Sequence, residues 1–119
     1  MVRTLAENLA ERTFRQVMTD TELTGRFDRD TLKAASKQLA NHFWCSAFLA
    51  FADAIQQYQD ALERVPAAAK MAIDGWLDEW VRPQRLDHAV VVATEVVAHR
   101  MVDRIWSILK LVVYGHYPL

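Results

Sequence analysis

Phe43-Trp44-Cys45-Ser46-Ala47, with Gly75-Trp76-Leu77 further along, is the stretch on which the reading of this chain turns. From Leu39 to Ile55 apolar residues fall on nearly every side of a helix. A helix that is apolar all round is buried against several neighbours, so this segment is expected to be the central element. Its apolar face begins at Leu32 and Ala35, after a start at Asp30 or Thr31, and its polar exit is Gln56-Gln57-Tyr58-Gln59-Asp60.

Beyond it, Pro66 suits a first helical position, where its missing N–H costs nothing. Ile73, Trp76, Leu77, Trp80 and Val81 follow at i, i+3, i+4, i+7, i+8, an amphipathic stripe that Arg82-Pro83 ends. Upstream, Leu5, Leu9, Phe14, Val17 and Met18 mark a first helix over about 4–19. Asp20 or Thr21 caps a short turn, Gly25 is the expected stop, and Phe27 pins a polar connection to the core. Leu86, Val90, Ala93, Val97, Met101, Ile105, Ile108 and Val112 keep helical spacing over about 84–113. A rod of that length is on the order of 45 Å and would outrun a small domain. Gly115 closes it, and His116-Tyr117-Pro118-Leu119 reads as a tail.

The totals agree with one all-α domain over 1–119. Apolar residues make up 52% and charged residues 24%, which is globular composition. With three Gly and three Pro, long helices are favoured over many short strands. The net charge of −1 gives no basic face for nucleic acid. No apolar run is long enough to span a bilayer. The single cysteine, Cys45, fits a reducing compartment, and a cytoplasmic location is expected.

Phe14-x-x-Val17-x-x-Asp20-x-Glu22-Leu23-x-x-x-Phe27 resembles the second helix and following turn of truncated haemoglobins. Leu39…Phe43-Trp44-Cys45-Ser46-Ala47 is similar to the Phe-Trp-Ser-x-Val stretch of that family's third group. Ile73-Asp74-Gly75-Trp76-Leu77-Asp78-Glu79-Trp80 resembles its Phe-Asp-x-Trp-Leu-x-Leu-Trp. The resemblance implies a globin-like fold, with Phe14, Phe27, Phe43, Trp44, Phe48, Leu62 and Trp76 around the pocket. It also implies a haem-ligating histidine in a His-x-x-Leu-Pro run, but this chain reads Leu62-Glu63-Arg64-Val65-Pro66. Leucine has no lone pair to give iron. Phe14 stands where the family has an oxygen-stabilising tyrosine, and Ser36 occupies the distal region.

Among other candidates, His42 beside Phe43-Trp44 is the best haem ligand if there is one, against the commoner reading of a satisfied core or interface residue. Glu95, His99 and Asp103 lie at i, i+4, i+8, a carboxylate–imidazole–carboxylate row that suits a metal or a solvated pairing face. Cys45, among aromatics and far from charge, reads as a small buried hydrophobe. The aromatics Phe43, Trp44, Phe48, Phe51, Trp76 and Trp80 either line an apolar cavity or fill it, and filling restores native packing density. There is no Gly-rich phosphate loop, no Cys/His metal cluster and no traceable catalytic nucleophile. The leading expectation is a haem-free globin-like module for regulation or protein interaction, dimeric through the last helices and their apolar end Leu109-Lys110-Leu111-Val112-Val113. The alternatives are a haem protein with unusual ligation, binding oxygen or another diatomic gas, and a carrier of a small apolar molecule such as a fatty acid. An enzyme is the least supported class.

Overall fold

The computed structural model describes the backbone over residues 5–115 and side chains from Glu7 onward; the predicted tail and the first residues of the predicted first helix lie outside this range. The described chain is all-α. Its helices are α1 (Leu5–Met18), α2 (Thr21–Arg26), α3 (Arg29–Leu39), α4 (Phe43–Gln57), α5 (Val65–Trp76) and α6 (His88–Val113). They pack in the order α1, α3, α6, α5, α4, so that α3 and α6 are central while α1 and α4 lie at the two ends. The shared core runs through Val17, Leu32, Leu39, Phe43, Ile73 and Val97.

The first turn forms as its capping chemistry requires. Asp20 Oδ1 accepts from the N–H groups of Glu22 at 3.1 Å and Leu23 at 3.4 Å, which start α2. Its other oxygen accepts from Arg100 Nε of α6 at 2.5 Å, while Arg100 Nη1 donates to Glu22 at 2.9 Å. One aspartate therefore caps a short helix and ties it to the longest one. Leu23 is buried beneath this clasp, and Phe27 packs against the core. Gly25 does not stop α2; it lies inside the helix, and Phe27 ends it in an extended conformation. The positive-φ glycine is Gly115, φ 76°, which does close α6.

Burial pushes the Asp20 carboxyl upward, but the Arg100 hydrogen bond, the two backbone N–H groups and the guanidinium charge outweigh it and hold the group below its ordinary value. A carboxylate whose folded pKa is depressed contributes stability above its unfolded value, and that contribution is lost as pH falls through the folded one. Asp20→Ala is therefore expected to cost about 2 kcal/mol at neutral pH. The gap from the parent protein should shrink below about pH 4, read from urea midpoints at pH 7 and pH 3.

Three features depart from the sequence pattern. The single helix expected across 31–60 is broken at Ala40–His42, with His42 in the left-handed region at φ 65°. The break redirects the chain, so that α3 packs on α1 and α6 while α4 packs chiefly on α5. Next, the α5 helix widens into a π turn over Leu77–Val81 before a 3-10 turn at Arg82–Gln84. The wider turn keeps Leu77 and Val81 buried but carries Trp80, expected on the same face, out to 45% exposure. Finally, α6 starts at His88, after Arg85 turns the chain at φ 54°. Its 26 residues make a rod of about 39 Å in a molecule 41 Å along its longest axis. The helix therefore spans the protein. Leu109 and Val113 of its apolar end fold onto the core, and Ile108 faces outward.

Gly75 sits within α5, and a Cβ built there meets nothing within 4 Å. Gly75→Ala is therefore expected to raise stability by about 0.5–1 kcal/mol through the unfolded chain's lost freedom, seen as a higher thermal midpoint.

Candidate functional site

The residues nominated around one pocket occupy several places. Phe43 and Trp76 are buried and meet edge to face with ring centroids 5.5 Å apart, and Trp44 packs edge-on to Phe43 at 5.2 Å. The indole N–H groups of Trp44 and Trp76 are buried without an acceptor. Leu62 is half-buried against the same core. Phe27 packs on the core from the loop before α3, and Phe14 packs on it from α1 while also lining a surface groove between α1 and α3. Phe48 is not a pocket residue: it is 73% exposed on the outer side of α4.

His42 is exposed at the α3–α4 break. Its ring lies against the Trp80 indole, with centroids 4.3 Å apart. The two border a cleft of about 170 Å³ that Gln38, Trp76 and Gln84 also line, below the roughly 300–1,000 Å³ of drug-sized ligand sites. Gln84 donates to Gln38 Oε1 at 2.8 Å and to the Trp80 carbonyl at 2.6 Å, closing one side.

The outer side of α4 carries the most pronounced mismatch between composition and position. Helix α4 has no charged residue before Asp53, as befits an element covered on all sides. It lies at the end of the packing order, held chiefly by α5, with Phe51 stacked on Trp106 of α6 at 6.4 Å. Leu49 is consequently 59% exposed beside Phe48, and Cys45, expected to be buried, is exposed on the same helix. Cys45, Phe48, Leu49 and Ala52 follow at i, i+3, i+4, i+7, one continuous stripe.

A larger groove of about 790 Å³ runs between α1 and α3. Ala10, Phe14 and Ala40 give it an apolar floor, and Arg29, Lys33 and Lys37 stand along α3 beside it. Glu7, Glu11 and Arg15 line the α1 side, with Arg15 paired to Glu11 at 3.5 Å. The i, i+4, i+8 spacing of the three α3 cations was the available sequence signal; their facing Phe14 was not readable without the packing of α1 on α3.

The row Glu95, His99, Asp103 does not act as one unit. Asp103 pairs away from the other two, whose nearest polar partners come from α5 and from the 3-10 turn that follows it. Asp103 pairs with Lys70 at 2.8 Å, His99 Nε2 meets Asp74 Oδ1 at 2.7 Å, and Glu95 lies 3.7 Å from Arg82. Asp74 was not visible as a member of this group, because spacing within one helix says nothing about a neighbour's register. Ser36, the distal-region residue, is buried and donates to the Leu32 carbonyl at 2.8 Å. No helix among the described residues is long and apolar enough to cross a membrane. Comparison with protein-family models, with curated proteins and with solved structures finds no match to this chain.

Proposed function

We propose that this chain is a haem-free, globin-like interaction module that associates with a second copy of itself through α4. The single observation that carries this reading is the open apolar stripe Cys45, Phe48, Leu49, Ala52 on a peripheral helix. Exposed contiguous apolar surface on a folded protein marks an interaction site. The stripe is also self-complementary. In an antiparallel pair with its dyad between Phe48 and Leu49, each Phe48 meets the partner's Leu49. Each small Cys45 meets the partner's Ala52, which lets the helices approach closely. Such an isologous contact uses one patch twice, the commonest arrangement among homo-oligomers. One helix face lies at the small end of interface sizes, so the expected affinity is roughly micromolar.

The globin-like part of the reading rests on the order Phe14, Val17, Asp20, Leu23, Phe27, which folds here as helix, cap, short helix and anchored aromatic. The haem-free part rests on the residues that would have to hold iron. Leu62 is a hydrocarbon packed on the core, His42 faces Trp80 at the surface, and Phe43 and Trp76, both expected around the pocket, meet edge to face. These side chains do not fit the cofactor. The test is the absorption spectrum of the purified protein after incubation with hemin and gel filtration. No Soret band should co-elute with the chain; a stoichiometric band that His42→Ala removes would sink the haem-free reading.

The groove between α1 and α3 favours a second reading, a carrier of an anionic amphiphile, with a chain over Phe14 and a carboxylate near Lys33 and Lys37. A fluorescent fatty acid should then bind, and Lys33→Glu with Lys37→Glu should weaken it at least about tenfold. Equal binding by the double variant would reject the carrier.

A further inference from the structure

We propose that Asp74, Glu95 and His99 form a binding site for one divalent transition-metal ion of the zinc class, bridging α5 and α6. This goes beyond the interaction role and does not depend on it. The three side chains are half-buried, and their donor atoms all lie within 4.8 Å of one another. Glu95 and His99 stand one helical turn apart on α6, so both aim at the same point beside the helix. Asp74 reaches that point from α5, and its Oδ1 is already 2.7 Å from His99 Nε2.

Donors held about 2.1 Å from a tetrahedral ion lie about 3.4 Å from one another. The His99–Asp74 pair, at 2.7 Å, has to open to that spacing while the longer separations, up to 4.8 Å, have to close, and rotation of these half-buried side chains is the adjustment required. The mixed set of one imidazole and two carboxylates favours zinc, cobalt or manganese over calcium and magnesium, whose sites are built from oxygen alone. Three protein donors leave a coordination position for water.

The interactions an ion must replace are the Asp74–His99 hydrogen bond, both of whose partners become ligands, and the Glu95–Arg82 contact. Arg82 touches Glu95 at 3.7 Å but holds Asp78 at 2.6 Å, so it keeps a partner when Glu95 turns to metal. Lys70 is engaged by Asp103 at 2.8 Å. Asp103, the third member of the sequence row, is thus committed elsewhere and serves as an internal control.

The experiment is isothermal titration of the chelator-treated, dialysed protein with zinc chloride, and with cobalt chloride read by absorption. One ion per chain is expected, with affinity reduced at least about 100-fold in His99→Ala and at least about tenfold in Glu95→Gln. Asp103→Asn, His42→Ala and Cys45→Ser should bind as the parent does. No saturable binding by the parent overturns the proposal, as does binding undiminished in His99→Ala or abolished in Cys45→Ser. If circular dichroism shows that His99→Ala does not fold, Glu95→Gln decides. Its side chain is half-buried and loses only its contact with Arg82, so unchanged affinity there also overturns the proposal.

Discussion

Replacing Phe43 by alanine is expected to remove about 3–5 kcal/mol of folding stability, a large part of the roughly 5–15 kcal/mol a domain has. Phe43 is the first residue of α4 and is fully buried. Its ring meets those of Trp44 and Trp76 edge to face, so it is one of the side chains that fix α4 to α5, just after the chain breaks at His42. Truncation leaves a hole beside two rigid indoles that cannot collapse into it, and unrelaxed cavities give the upper end of the range. The control lies on the same helix. Phe48→Ala removes the same atoms from a ring that is 73% exposed, and in the monomer, at chain concentrations below the dimer's dissociation constant, its effect is expected to stay within about 0.5 kcal/mol. Urea denaturation of the two variants measures the contrast, and equal effects would mean that α4 is oriented differently.

Replacing Phe48 and Leu49 together by glutamate is expected to abolish self-association while leaving the fold intact. Both residues point away from the core, so the charges stay in water in the single chain. In the proposed antiparallel pair the substitutions bring four carboxylates together across the dyad. Like charges at a contact repel, and the apolar area is lost at the same time. The dissociation constant should rise at least about 100-fold, with an unchanged circular dichroism spectrum and, at chain concentrations below the parent's dissociation constant, an unchanged urea midpoint. The last helix offers the comparison. Leu109 and Val113 of its apolar end pack on the core, Leu111 and Val112 are half-buried, and Ile108 is the helix's most exposed apolar side chain. Ile108→Glu should therefore leave the dimer in place.

Local chemistry was legible in the sequence. Asp20 followed by Leu23 and Phe27, Pro66 at the start of α5, and Gly115 after α6 each act through their own neighbours, and each does in the fold what its residue type dictates. The break at Ala40–His42 was hidden because Leu39 and Phe43, four apart, keep a helical apolar period straight through it. The π turn was hidden for a related reason: Ile73, Trp76, Leu77, Trp80 and Val81 fit an α-helical stripe, and only packing reveals that Trp80 has left it. All-round apolarity in α4 reads as burial whether or not the chain has enough helices to provide it. Here it has one principal neighbour, so Phe48 and Leu49 face outward. The Asp74–His99 pair depends on the register of α5 against α6, which no periodicity within either helix encodes.

The most direct measurement is sedimentation equilibrium of the purified chain after incubation with hemin, with absorbance read in both the tryptophan and Soret bands. The expected result is a concentration-dependent monomer–dimer equilibrium that Phe48→Glu with Leu49→Glu reduces to monomer, with no Soret absorbance sedimenting with the protein. A chain that stays monomeric at high concentration, or one that carries stoichiometric haem, would contradict it.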